Sequence, residues 1–222
     1  MITASIASRT LTPFTFFTRI YAVCINYKFE KGICAELLIL LKIMSSPMDN
    51  KKITILAISG SLRKTSSNTV IVNEIKKMLP VDVNYIVYEG LGDIPHFNDA
   101  NETPTIVSEW RNLVATADAV LICTPEYAFG VPGTLKNALD WAVGSTAFSD
   151  KPVALITASS SGEKAHIALQ HTLQALGTQL VGNLLISFVR SKLNTNGEIT
   201  DKATAEAIEE LVQQLLLSVT NK

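Results

Sequence analysis

The sequence predicts an α/β protein, a doubly wound sheet of five parallel strands held in a three-layer α/β/α sandwich. Two patterns point there. From residue 53 onward, short apolar runs rich in β-branched residues alternate with helical stretches. The central runs hold almost no polar residue, which is the composition of a parallel strand covered on both faces.

The elements follow in order. Residues 53–58, Ile-Thr-Ile-Leu-Ala-Ile, read as the first strand, and a Gly/Ser turn then opens a helix that ends before Pro80. Residues 81–88 read as a second strand, 103–117 as a helix, and 119–123 as a wholly apolar third strand. A helix over 132–143, a strand over 152–158, a helix over 163–176 and a strand within 180–189 continue the alternation, and an amphipathic helix fills 201–218. Parallel strands need crossover connections, and right-handed crossovers place helices on both faces. Ligands of such sheets lie beyond the carboxyl ends of the strands, where the strand order reverses. The loops beginning near Ser59, Pro125 and Ser159 are therefore the ones to inspect.

Composition narrows the partners. The chain has 222 residues and a formal net charge of -1, so it has no general attraction to nucleic acid or to an anionic membrane. Small molecules recognised at a local site are the expected partners. The three cysteines, Cys24, Cys34 and Cys123, form no CxxC pair and suit a reducing, cytoplasmic setting. Cys123 ends an apolar run and reads as a core thiol. His166 and His171 lie five apart on a helix, a poor metal spacing, and read as surface or capping residues; His96 follows Ile94-Pro95 in a loop.

Composition changes near Met48. Residues 1–29 carry no Asp or Glu but do carry Arg9, Arg19 and Lys28, and Met44 and Met48 stand just before the first strand. Residues 1–50 thus read as an N-terminal extension, either sequence upstream of the true start, a targeting segment or a structural arm, and 51–222 as the domain. No apolar run approaches the length of a transmembrane helix.

Two loops carry the chemistry. The first, Ser59-Gly60-Ser61-Leu62-Arg63-Lys64-Thr65-Ser66-Ser67-Asn68-Thr69, is packed with hydroxyls and opens a helix. Helix-start N–H groups stabilise an anion, and Arg63 adds a guanidinium. An ordinary capped βα turn is the competing reading, because Ser and Thr also favour N-caps. Neither the Walker pattern nor the dinucleotide GxGxxG is present, so the phosphate implied belongs to a mononucleotide. The second loop, Thr124-Pro125-Glu126-Tyr127-Ala128-Phe129-Gly130-Val131-Pro132-Gly133, joins rigid backbone to aromatic surface suited to one face of a planar ring. A GxSxG nucleophile elbow is absent, since Ser159-Ser160-Ser161-Gly162 lacks the leading glycine.

Together, GSLRKxSxN and PEYxxxxPGxLKNAxDW resemble the NADPH-dependent FMN reductase family of flavodoxin-like quinone and flavin reductases, over about residues 53–189. The resemblance implies non-covalent FMN, NADPH or NADH as reductant, a small-molecule electron acceptor and a homodimer or homotetramer. It places Ser61, Arg63, Ser67 and Asn68 on the FMN phosphate and Pro125, Glu126 and Tyr127 along the isoalloxazine. It brings Ser159, Ser161 and Gly162 over the flavin from the next strand. No acid-base residue is required, because the flavin carries the chemistry. The family commonly reads PEYNGSIPG, and this chain departs from it at Ala128, Phe129 and Gly130. A flavin-binding electron carrier or redox sensor without steady turnover is the alternative function.

Overall fold

The computed structural model describes residues 52–99, 102–194 and 196–220, so the N-terminal extension, residues 1–50, lies outside the described residues. The chain runs β1 (Thr54–Ser59), α1 (Ser67–Met78), β2 (Asn84–Tyr88), α2 (Thr105–Thr116), β3 (Ala119–Thr124), α3 (Gly133–Val143), β4 (Pro152–Ala158), α4 (Glu163–Ala175), β5 (Gln179–Ile186) and α5 (Lys202–Thr220). The five strands form one sheet in the order β2-β1-β3-β4-β5, with every neighbouring pair parallel.

The period-two alternation of the strands sorts the core into two layers. Leu56 and Ile58 of β1, Val120 and Ile122 of β3, and Val153 and Leu155 of β4 face α2, α3 and α4. Ile55, Ala57, Ala119, Leu121, Cys123, Ala154 and Ile156 face α1 and α5. The three central strands are thus covered on both sides, which explains their apolar composition. Trp110 of α2 is wholly buried, donates from Nε1 to Ala138 O at 3.1 Å and packs on Tyr88 with ring centroids 4.8 Å apart.

The largest differences from the sequence reading lie at the start of β2 and the end of β5. β2 begins at Asn84, because Val81 lies in a turn closed by Val83 N to Pro80 O and is fully solvated. β5 stops at Ile186, where Phe188 takes a left-handed conformation (φ 54°) and starts a short 3-10 turn, Val189–Lys192. The strand order reverses between β1 and β3, whose following helices α1 and α3 pack on opposite faces. Their connecting loops diverge there and open a crevice at the carboxyl edge.

Candidate functional site

The crevice is built on close backbone packing. Gly60 donates its N–H to Cys123 O at 2.8 Å, and a Cβ on Gly60 would lie 2.3 Å from Thr124 Oγ1, so only glycine lets the β1–α1 loop cross the end of β3. The loop then folds on its own hydroxyls. Ser66 caps α1 by accepting from Thr69 N at 3.1 Å, and Thr69 Oγ1 is 2.9 Å from Ser66 Oγ and 3.2 Å from Ser59 Oγ. Val70 N bonds to Ser66 O, which leaves the helix-start N–H groups of Ser67 and Asn68 for the crevice.

A cleft of about 450 Å³ lies at this point, within the range usual for small-molecule sites. The β1–α1 loop and the start of α1 contribute Ser61, Arg63, Ser66, Ser67 and Asn68 to its lining, the loop after β3 contributes Pro125, Glu126 and Tyr127, and Ala158–Ser160 and Phe188–Ser191 complete it. Of the residues expected from sequence, Ser61, Arg63, Ser67, Asn68, Pro125, Glu126, Tyr127 and Ser159 meet around it. Ser161 and Gly162 do not line it: Ser161 O accepts from Ser187 Oγ, and Gly162 is the N-cap of α4. Gly162 has φ 96°, and a Cβ there would meet Leu185 Cδ1 at 2.8 Å, so the position belongs to glycine for a backbone reason.

Two side chains in the cleft wall are engaged by the protein itself. Asn68 is buried, donates from Nδ2 to Ala158 O at 3.1 Å and accepts from the Cys123 thiol at 3.3 Å, so its amide ties the ends of β3 and β4. The Glu126 carboxylate accepts from Gly162 N at 3.2 Å and Ala165 N at 2.9 Å, capping α4 and joining the second loop to the third. At the mouth, Tyr127 Oη stands 3.4 Å from Ser61 Oγ, and the ring is half exposed.

Burial pushes the Cys123 thiol pKa well up, in keeping with a core thiol. His166, expected at the surface, is buried with Nδ1 2.9 Å from Thr157 Oγ1, and desolvation lowers its pKa below the ordinary imidazole value. His96 is exposed and outside the cleft lining. Among the described residues no cluster of His, Cys, Asp and Glu suits a metal, and no helix is long and apolar enough to cross a membrane.

The segment Phe188–Ser191 escaped the sequence reading because its apolar start extends the pattern of β5. The signal that finds it is positional: it follows the carboxyl end of a parallel strand on the ligand side of the sheet.

The residues present fit a flavin mononucleotide. Helix-start N–H groups, the Ser61 and Ser67 hydroxyls and the Arg63 guanidinium are the donors that would hold its phosphate, and the Pro125–Tyr127 backbone with the Tyr127 ring is the surface that would meet its ring. Comparison with known proteins agrees. Residues 53–191 match the family model described as NADPH-dependent FMN reductase. An NAD(P)H-dependent FMN reductase of Pseudomonas aeruginosa is 33% identical over 75% of this chain and 95% of its own. An NADPH:quinone oxidoreductase of Arabidopsis thaliana is 31% identical over 73% and 90%. The solved structure of FerB, a flavoenzyme NAD(P)H:(acceptor) oxidoreductase from Paracoccus denitrificans, superposes with a TM-score of 0.62 at 27% identity, covering 76% of this chain and 97% of that one. The chain therefore belongs to the NADPH-dependent FMN reductase family and is a flavodoxin-like oxidoreductase that uses FMN with NAD(P)H as its reductant.

Proposed function

We propose that this chain reduces a small acceptor, a quinone, flavin, azo compound or metal ion, by a ping-pong reaction at a single flavin site. The observation that carries the reading is the cleft at the β1/β3 crossover, lined by Arg63 and the start of α1 and by Pro125 and Tyr127. Bound FMN supplies hydride acceptance from the reduced nicotinamide and two-electron delivery to the acceptor.

The protein's share is binding and orientation. The N–H groups of Ser67 and Asn68, the Ser61 and Ser67 hydroxyls and Arg63 hold the phosphate. Pro125 and Tyr127 set the plane of the ring, while Glu126 and Ser159 fix the two loops between which it lies. The backbone N–H of Glu126 favours negative charge at the ring edge, while that of Tyr127 is held by Gly130 O. Tyr127 and Phe188, both exposed at the rim, suit flat unsaturated partners better than charged ones. The curated relatives include quinone reductases of Escherichia coli and Pseudomonas putida. In the same reading the protein is a cytoplasmic homodimer or homotetramer.

Steady-state rates measured over a grid of NADPH and quinone concentrations test the proposal. Parallel double-reciprocal lines are expected, because nicotinamide must leave before the acceptor enters. Intersecting lines would require a ternary complex and a second subsite. Tight FMN with no NADPH oxidation would favour the carrier or sensor instead.

A further inference from the structure

Among the described residues, Ala128, Phe129, Asp150 and Phe188 have positive φ without being glycine, and of these only Phe188 lines the cleft. It lies at φ 54° and ψ 37°, in the left-handed region that costs an L-residue free energy and is least common for bulky side chains. Where positive φ serves the backbone alone the chain carries glycine, as at Gly162, Gly177 and Gly197. Phe188 has a different reason to be there.

Its backbone is fixed from both sides. Phe188 N donates to Ser160 O and Val189 N to Ser159 O, each at 3.1 Å, and Phe188 O accepts from Ser191 N at 3.0 Å and from Ser191 Oγ at 2.8 Å. Ile186 and Val189, before and after it, are buried in the core. The Phe188 ring itself stays 71% exposed in the cleft wall, so core packing does not offset the strain. Backbone strain that packing does not repay is characteristic of ligand sites. Tyr127 and Phe188 are the aromatic residues of the lining, carried by the loops after β3 and β5 on either side of the end of β4. The Tyr127 hydroxyl reaches the β1–α1 loop at Ser61, whereas the Phe188 ring has no polar atom and offers the cleft an apolar face.

We propose that Phe188 is a specificity-determining residue that stacks on the acceptor and selects a flat conjugated ring over an acceptor with no flat face. The inference rests on the acceptor reduction proposed above. A flat ring against Phe188 gains aromatic contact and removes exposed apolar surface from water; an octahedral anion gains neither.

Steady-state oxidation of NADPH by the FMN-loaded protein, with menadione and with ferricyanide as acceptors, tests this in the wild type, Phe188→Ala, Phe188→Tyr and Phe188→Gly. The ratio of kcat/KM for menadione to that for ferricyanide should fall about tenfold in Phe188→Ala, through the KM for menadione rather than kcat, as loss of a uniformly bound aromatic contact does. Phe188→Tyr keeps the flat face and should hold the ratio within about twofold. Flavin-free Phe188→Gly should melt at or above the wild-type temperature, because glycine relieves the left-handed strain, while losing selectivity as Phe188→Ala does. An unchanged ratio in Phe188→Ala, or a ratio in Phe188→Tyr as low as that of Phe188→Ala, would overturn the proposal. So would a Phe188→Gly protein melting several degrees lower, which would make the ring a structural contact, or a change of oligomeric state in Phe188→Ala read by sedimentation, which would assign the ring to a contact between copies. A wild type that binds FMN but reduces neither acceptor would remove the proposed function and this inference with it; a wild type that reduces both at a ratio indifferent to Phe188 would remove this inference alone.

Discussion

Arg63 is exposed at the mouth of the cleft and pairs with no carboxylate among the described residues, so its guanidinium is available to an anion. A charge-assisted hydrogen bond contributes about 1.5–3 kcal/mol, so Arg63→Ala should weaken FMN roughly ten- to a hundredfold. Riboflavin, without the phosphate, should bind almost unchanged, and fluorescence titrations of both ligands read the difference; equal losses would remove Arg63 from the phosphate. Ser67→Ala should show the same discrimination more weakly. For Asn68 the structure adds a second role, since loss of its amide also frees Ala158 O and the Cys123 thiol, so Asn68→Ala should lower stability along with affinity. His166 makes a pH prediction. Burial holds its folded pKa below the ordinary value of 6.5, so the folded state binds the proton less readily than the unfolded one. Its stabilising effect is complete above that value and is lost as pH falls through it towards the folded pKa. The melting temperature should drop on acidification from neutrality, and His166→Gln should make the drop shallower. An unchanged slope would assign the acid sensitivity to other groups.

At the scale of elements, the turn Tyr127-Ala128-Phe129-Gly130 stands apart. Tyr127 and Gly130 exchange both backbone hydrogen bonds, at 3.0 and 2.9 Å, across a two-residue loop whose members have φ 49° and 58°. Such a turn is suited to Asn-Gly, and each L-residue in the left-handed region costs roughly 1–2 kcal/mol. Ala128→Asn with Phe129→Gly should therefore raise the melting temperature by several degrees, read by thermal denaturation; no gain would show that the exposed Phe129 ring makes compensating contacts. The departure from PEYNGSIPG is visible in the sequence, but its physical meaning is not, because only the backbone shows that Ala128 and Phe129, two of the three replaced residues, occupy positive φ. The same division holds elsewhere. β3 was legible because burial on both faces leaves no polar residue between Ala119 and Cys123. The end of β5 was not, because Phe188 and Val189 are as apolar as the strand they follow, and their turn depends on backbone conformation rather than hydropathy. Ser61, Arg63 and Tyr127 could be placed from two motifs at strand ends, whereas Arg190 comes from a loop carrying no motif. Gly162, which the resemblance sets over the flavin, also caps α4 at positive φ, and sequence does not distinguish a glycine needed for ligand approach from one needed for backbone conformation.

For the molecule as a whole, the family match starts at residue 53 and the sheet at Thr54, just after the change in composition near Met48. A chain starting at Met48 should be soluble and bind FMN with the affinity of the full-length protein; loss of either would assign the leading residues a place in the fold. The cap on α4 has a larger consequence. Both α1 and α4 begin at the cleft side of the sheet, and each helix start carries a partial positive charge. Glu126 more than offsets the partial positive charge of α4 with a full negative one, while α1 keeps the N–H groups of Ser67 and Asn68 open beside Arg63. The cleft is thereby polarised along its length like a keyed socket, and an elongated guest with an anion at one end and a neutral ring at the other can seat in one direction only.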